Sequence, residues 1–108
     1  MAVSDGFLEY VIDQFSAWGE VAVRKMFGGA GLYRDGRMFG LVADDVVYLK
    51  VDDTTRDKYL AAGSAPFKPF KDKPTSLSYF QLPPEIFEDA EALMEWAEES
   101  LDIQKKGK

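Results

Sequence analysis

The chain contains neither cysteine nor histidine. Without cysteine it forms no disulfide and has no thiolate nucleophile, which fits a reducing cytoplasm. Without histidine it lacks the most common general base and the most common metal ligand. The first residues are polar and acidic, and no apolar run approaches the roughly 20 residues of a membrane span. These absences predict a cytoplasmic protein with no signal peptide and no membrane segment.

Positive charge is also scarce. The 108 residues include 13 Lys and Arg against 19 Asp and Glu, for a formal net charge of −6. Nucleic-acid-binding domains of this size usually present a basic face, and a negative field repels phosphate. The charge balance therefore argues against direct nucleic-acid binding, although it leaves a local basic patch open as an alternative.

Apolar side chains, in contrast, are plentiful enough for a sizeable core. They make up 46% of the chain and include 8 Phe, 5 Tyr and 2 Trp. The length suits a single domain and is too short for two ordinary ones. We expect one domain over residues 1–104, followed by a frayed polar tail at residues 105–108.

The order of the patterns predicts an α+β fold: a two-layer, mainly antiparallel sheet with helices on one face, in the order α-β-β-β-β-α-β-α. Ser4 is the predicted cap of a first amphipathic helix, and Thr54 is the predicted cap of a short second one. A last helix is predicted over residues 85–102. Residues 20–27 and 75–82 alternate as strands do.

Two tight turns organise the middle of the chain. Asp35-Gly36 between apolar alternations is a strong signal for a two-residue type I′ hairpin turn, and Asp44-Asp45 is a weaker one. With two-residue turns, Gly31 pairs with Gly40, and Gly40 pairs with Leu49. A glycine inside a strand costs roughly 0.5–1 kcal/mol relative to alanine. We therefore expect a helix to lie closely over these two glycines.

The same register predicts a second apolar surface on the side of the sheet away from the helices. Its middle is apolar and one end is basic. In a two-layer fold this surface is open, and an exposed apolar patch indicates a partner surface or a homodimer interface. The predicted interaction face consists of Leu32, Arg34, Arg37, Phe39, Leu41, Tyr48 and Lys50.

No catalytic pattern emerges from the residues. The run Gly28-Gly29-Ala30-Gly31 is similar to a phosphate-cradling loop, but a strand and not a helix is predicted to follow it. The aspartates of the turns are not expected to converge, so no metal site is predicted. We expect a non-enzymatic protein with no catalytic residue, no cofactor and no metal. The alternative is a small-ligand or nucleic-acid-binding module that uses Arg24, Lys25 and the loop Lys68–Lys73, which belongs to a segment, residues 67–74, where two phenylalanines are interleaved with lysines.

A longer motif spans both hairpins. It reads Arg24-x-Met26-Phe27-Gly28-Gly29-x-Gly31-x-Tyr33-x-x-Gly36-x-Met38-Phe39-Gly40-x-Val42, then Val47-Tyr48-Leu49-Lys50-Val51-Asp52. Phe80-x-Leu82-Pro83 and Leu93-x-x-Trp96-Ala97 follow later in the chain. Together these motifs resemble the N-terminal domain of the TfoX/Sxy family of competence regulators. The residues that carry the resemblance are Arg24, Met26, Phe27, Gly28, Gly29, Gly31, Tyr33, Gly36, Gly40, Leu49 and Asp52.

The resemblance implies a two-layer α+β fold and a regulatory role in DNA uptake and natural transformation, exerted on transcription together with other factors. Family members with the full role carry a second, helical C-terminal domain, and we expect this chain to be a stand-alone copy of the first domain. The combined expectation is a cytoplasmic, non-enzymatic regulatory or interaction domain. We expect it to bind a protein partner and to form a homodimer through the open side of the sheet.

Overall fold

A computed structural model describes residues 4–26, 29–67 and 78–106. Its elements are α1 (Asp5–Phe15), β1 (Ala22–Met26), β2 (Gly29–Arg34), β3 (Arg37–Ala43), β4 (Val46–Lys50), α2 (Arg56–Ala61), β5 (Tyr79–Gln81), α3 (Pro84–Phe87) and α4 (Ala90–Lys106). The strands form one antiparallel sheet in the order β1-β2-β3-β4-β5. The predicted α+β class and the predicted order are confirmed, with the last predicted helix divided into α3 and α4.

Several predictions made from the sequence lie outside these described residues. They are Phe27 and Gly28 of the long motif, the loop Lys68–Lys73, and the first part of the strand predicted at residues 75–82. Within the described part of that strand, β5 covers Tyr79–Gln81.

The helix starts follow local side-chain chemistry. The backbone N–H of Phe7 donates to Ser4 Oγ at 3.2 Å, so the predicted cap of α1 is confirmed. The N-cap of α2 is Thr55, and not Thr54 as predicted. Thr54 instead donates from its N–H and its hydroxyl to Asp52 Oδ1, at 2.9 and 2.6 Å. The prediction at Thr54 was wrong because its side chain is hydrogen-bonded to Asp52 in the turn after β4 and does not cap the helix.

The last helix ends four residues later than predicted, at residue 106 and not at residue 102. α4 continues to Lys106, so Lys105 and Lys106 form its last turn, where positive charge is favourable beside the helix C-terminus. Pro84 opens α3 at a position that needs no intrahelical N–H bond. Within the described residues, no helix has the length and apolarity required to cross a membrane.

Both hairpin turns have the predicted geometry. Asp35 (φ 55°) and Gly36 (φ 77°) lie in the left-handed region, as both central residues of a type I′ turn must. Asp44 and Asp45 do the same at 54° and 58°. Aspartate is among the few residues besides glycine that tolerate this backbone conformation. The two-residue turns therefore set the start of each hairpin as expected.

The register between β2 and β3 departs from the prediction at Phe39. Tyr33 pairs with Met38, and the preceding residue of β2, Leu32, pairs with Gly40. Phe39 is therefore an extra residue of β3 with no partner in β2. Such a bulge changes which side chains beyond it face each side of the sheet.

The bulge changes the partners of the glycines. The predicted pairing of Gly31 with Gly40 is wrong, since Gly31 lies opposite Leu41. The pairing of Gly40 with Leu49 is confirmed. Because the extra residue interrupts the alternation, Phe39 and its neighbour Gly40 both face the helices.

Neighbouring strands account for two of the glycines. A Cβ atom on Gly40 would lie 2.7 Å from the Tyr48 carbonyl oxygen and 2.9 Å from Leu49 Cδ2. A Cβ atom on Gly29 would overlap the Val42 carbonyl oxygen. Both positions are too close to the adjacent strand for a side chain, so contact between strands is sufficient to require glycine at each of them.

The helices cover one face of the sheet. The Phe39 ring meets the rings of Phe15 and Trp18 edge-on, with centroids 5.4 and 5.0 Å apart. Leu32 and Phe39 are both 0% exposed. The core joins the sheet residues Ala30, Leu32, Phe39, Val42, Val47, Leu49, Val51 and Phe80 to the helix residues Leu8, Val11, Phe15, Tyr59, Phe87, Leu93, Trp96, Ala97 and Leu101.

Phe39→Ala tests the placement of the bulged residue. We expect it to lower the free energy of unfolding by about 3–5 kcal/mol, because a buried aromatic ring is replaced by a cavity. Urea unfolding followed by circular dichroism measures the change. Leu60→Ala is the control, since Leu60 is 51% exposed and should change stability by less than about 0.5 kcal/mol. A similar small loss for both variants would contradict the placement of Phe39.

Gly29→Ala tests the close approach of β2 and β3. We expect a loss of about 1–3 kcal/mol, because the backbone must shift to relieve the contact with the Val42 carbonyl. Gly6→Ala is the matched control: Gly6 lies in α1 with no atom within 4 Å of its Cβ position, and alanine should stabilise that helix by about 0.5–1 kcal/mol. Thermal unfolding of both variants gives the comparison. A neutral Gly29→Ala would show that the strands have room there.

Candidate functional site

The side of the sheet away from the core carries a second set of side chains, which we name the open face. Directly paired residues of neighbouring strands share a face. The pairings place Arg24, Gly31, Leu41, Tyr48 and Gln81 in one row across all five strands. The open face comprises Ala22, Arg24, Gly31, Tyr33, Met38, Leu41, Ala43, Val46, Tyr48, Lys50, Tyr79 and Gln81.

The open face differs in charge from the rest of the chain. It contains no Asp or Glu, although the whole chain has a net charge of −6. Its two cations both lie over tyrosine rings: Arg24 Cζ is 5.7 Å from the centroid of Tyr33, and Lys50 Nζ is 5.3 Å from that of Tyr79. Among the described residues neither cation is in a salt bridge. The open face is therefore aromatic and locally positive.

Tyr48 lies in the middle of this surface and is half-buried. Its ring is 4.9 Å from that of Phe67. Phe67 is placed there by the segment that pairs with the outer edge of β5, where the Phe67 N–H donates to the Tyr79 carbonyl at 2.8 Å. Partial burial raises the pKa of Tyr48, so its hydroxyl is neutral at physiological pH and can donate a hydrogen bond.

The end of α4 closes one end of the open face. The Tyr79 hydroxyl donates to the Met38 carbonyl at 3.3 Å, and Gln104 Nε2 donates to both of these groups. Ser100 Oγ donates to the Lys50 carbonyl at 2.8 Å. Burial of Tyr79 raises its pKa to about 12. These bonds hold the ends of β3, β4 and β5 against the helix.

The structure does not bring the predicted interaction face together. Leu32 and Phe39 lie in the core, on the helix side of the sheet. Arg34 is also on that side, with its Cζ atom 4.3 Å from the centroid of Trp18 and its Nη1 atom 3.9 Å from Glu98 Oε1. The physical reason is the bulge at Phe39, which the simple alternation did not include.

The other members of the predicted set divide between two places. Leu41, Tyr48 and Lys50 lie on the open face, whereas Arg37 is exposed at the start of β3 beside the Asp35-Gly36 turn. Leu41 is only 8% exposed.

Sequence reasoning missed the open-face residues Tyr33 and Tyr79, and it missed Phe67, which packs against Tyr48 of that face. Tyr33 lies on the side of the sheet opposite to the one that uninterrupted alternation gives, again because of the bulge. Tyr79 and Phe67 join the surface through pairing with β5, a contact between distant parts of the chain. A weak signal was present, since Tyr79 alternates with Phe80, which faces the core.

The two cations of the alternative ligand site point to different sides. Arg24 is on the open face, whereas Lys25 Nζ bonds Asp5 Oδ1 at 3.0 Å, at the start of α1. The loop Lys68–Lys73, the other part of that site, lies outside the described residues.

An open cleft of about 650 Å³ borders the site at the end of the first hairpin. Its lining includes Glu20 and Asp35 on the acidic side, and Arg24 and Arg34 on the basic side. These charges balance, and no side-chain polar atom buried within the described residues lacks a hydrogen-bond partner. The cleft therefore shows no selection for an anion or a cation.

Most described residues of the long motif serve the fold. Gly36 forms the turn, Gly40 admits the Leu49 side chain, and Leu49 is 0% exposed in the core. Asp52 accepts two hydrogen bonds from Thr54, and the bond from the Thr54 hydroxyl is the main cause of the lowered pKa of this carboxyl.

Alkaline unfolding tests the burial of Tyr79. Its pKa is raised above the usual value of 10, to about 12, so the unfolded chain loses the proton first as the pH rises. The stability contribution is complete below pH 10 and is lost as the pH rises towards 12. We expect the free energy of unfolding to fall over this range, and to fall less steeply in Tyr79→Phe. Parallel pH profiles for the two proteins would contradict the burial.

Comparison with known protein families places the chain in a family. The sequence matches the TfoX N-terminal domain over residues 13–103. This range contains the whole sheet and most of α4. A comparison with curated proteins gives no significant match. Because the match covers most of the chain, the chain belongs to the TfoX N-terminal domain family.

Proposed function

We propose that this chain is a non-enzymatic protein-interaction domain with a regulatory role, and that it binds its partner on the open face. Family membership supports a TfoX-like domain. A role in the transcriptional regulation of competence and DNA transformation, exerted in the cytoplasm, is part of the proposal and rests on the family relationship alone.

The observation that carries the proposal is the composition of the open face. Half-buried Tyr33 and Tyr48 flank the more buried Leu41 in the middle strands, and the core helices lie on the other side of the sheet. Aromatic residues around an apolar centre are typical of protein interfaces. Tyrosine also offers a hydroxyl that can bond a partner at low cost in side-chain entropy.

The charge of the surface favours an acidic partner over a second copy of the chain. A homodimer through the open face would bring Arg24 and Lys50 of one copy towards those of the other, with no Asp or Glu on either sheet surface to balance them. Like charges across an interface are unfavourable. We therefore rank the predicted homodimer below an acidic partner. It stays a prediction, and the experiment with Tyr48→Glu below can detect it.

Single-stranded nucleic acid is the second candidate, because cations beside exposed aromatic rings can track phosphates while the bases stack. The position of Arg24 over the half-buried ring of Tyr33 favours it, whereas the ring of Tyr79 beside Lys50 is buried. The net charge of −6 opposes it. We therefore rank it below a protein partner.

Tyr48→Glu tests the open face directly. We expect proteins captured from the native cell by the wild-type chain to fall at least about tenfold with this variant, which corresponds to about 1.4 kcal/mol. Leu60→Glu is the matched control, because it places the same charge on an exposed apolar position of α2. Quantitative mass spectrometry measures the capture, and circular dichroism confirms that both variants fold.

Equal capture by both variants would contradict the proposed surface. A wild-type dimer in light scattering that Tyr48→Glu dissociates would make the second copy the partner. Binding of a 20-nucleotide oligothymidine at about 50 mM salt, weakening steeply as the salt rises, would favour the nucleic-acid alternative.

A further inference from the structure

The two edge strands of the sheet differ in whether another backbone segment covers them. The outer edge of β5 is covered by Ala65–Phe67, through bonds from Phe67 N to the Tyr79 carbonyl (2.8 Å) and from Gln81 N to the Ala65 carbonyl (3.0 Å). β1 lies at the opposite edge, and within the described ranges its backbone bonds only to β2. An edge strand of this kind presents a row of free N–H and C=O groups.

β1 has the regular form that an added strand requires. Its five residues contain no proline or glycine, and they pair with β2 without a bulge. Every second residue of such a strand points its N–H and C=O outwards. Ala22, Arg24 and Lys25 are exposed, so bulky neighbours do not cover the edge.

The charges on β1 select what can pair there. Arg24 is on the open face, and Lys25, the next residue, is on the opposite side. A strand added to this edge would therefore meet a cation on each of its faces. The Lys25–Asp5 ion pair is highly exposed, at 66% and 82% for the two side chains. Such a pair contributes little to stability, so Lys25 can bind another carboxylate instead. Opposite charges on directly paired residues stabilise a sheet.

A second copy of β1 is a poor occupant. Antiparallel pairing of two β1 strands would place both arginines and both lysines within one short stretch, and β1 contains no acidic residue. Like charges on neighbouring cross-strand positions are destabilising. The same residues thus discourage self-association at the edge, as charged edge strands commonly do.

We propose that β1 accepts an extended acidic segment of a partner protein as an additional strand of the sheet. Main-chain bonds to Ala22–Met26 supply the affinity, and Arg24 and Lys25 select carboxylates on the incoming strand. This inference rests on the proposed function, because it states where on the domain the protein partner binds and which chemistry the partner carries.

The first experiment uses the acetylated peptide Thr-Val-Thr-Glu-Glu-Thr-Val-Thr with the full chain. We expect saturating peptide to slow the hydrogen exchange of the outward-pointing amides within residues 22–26 at least tenfold, because these amides enter a new ladder. The same peptide with Lys-Lys in place of Glu-Glu should not do so. Fluorescence anisotropy of the labelled acidic peptide should show weaker binding as salt rises. Absence of protection at residues 22–26 with millimolar peptide would overturn the proposal.

The second experiment reverses the charge of the edge. The double variant Arg24→Glu/Lys25→Glu should bind the Glu-Glu peptide at least tenfold more weakly and should gain affinity for the Lys-Lys peptide. Lys105→Glu/Lys106→Glu is the matched control, since it changes the net charge equally on the exposed last turn of α4. Equal losses in the two double variants would make the effect one of net charge, and the proposal would fail.

Other occupants would give different results. Protection of residues 22–26 that rises with protein concentration alone, with a dimer in light scattering, would put a second copy on the edge and overturn the proposal. Protection by oligothymidine and not by the acidic peptide would overturn it in favour of nucleic acid. If Tyr48→Glu abolishes partner capture while the β1 amides stay unprotected, the proposed function stands and this inference alone fails.

Discussion

The extra residue at Phe39 decides which side of the sheet the side chains of β3 face. Phe39 and Gly40 both face the helices, and Leu41 is left on the open face. The Phe39 ring lies against Phe15 and Trp18, and Gly40 leaves the space beside it to the Leu49 side chain. Without the bulge, alternation would put Phe39 and Leu41 on one side together. The core and the open face both depend on this one irregularity.

The division of the sheet into two faces also divides the charge. The acidic residues of the chain lie mainly on the helices and in the turns, as Glu98 on α4 illustrates, whereas the open face itself has only the charges of Arg24 and Lys50. Asp44 in the second turn is close enough to contribute to the raised pKa of Tyr48. At physiological ionic strength, charges interact over about 8 Å. A partner close to the sheet is therefore influenced mainly by the local positive charge, even though the whole molecule is acidic. The net charge of −6 therefore does not by itself exclude a negatively charged partner at the open face.

The features that could be predicted from the sequence are those that neighbouring residues decide. Asp35-Gly36 forms its turn because both residues tolerate a positive φ, and Ser4 caps α1 by reaching an N–H three residues away. The bulge could not be predicted in this way, because its stabilising contacts come from α1, more than 20 residues earlier. For the same reason only Leu41, Tyr48 and Lys50 of the predicted interaction face lie on the open face, and Phe67 and Tyr79 were found only when the pairing of β5 was known.

Arg24 belongs to both the open face and the β1 edge, so a partner strand paired with β1 would lie next to the open face. Five strands spaced about 4.8 Å apart, with about five residues each, give a face of roughly 400 Å² in projection. A stable protein interface buries about 800 Å² on each partner, so the open face alone is small for a lasting complex. A strand paired with β1 would extend the row Arg24–Gly31–Leu41–Tyr48–Gln81 by one residue. The rest of that partner would then lie beside the aromatic surface, and main-chain bonds at the edge would supply the affinity that area alone does not.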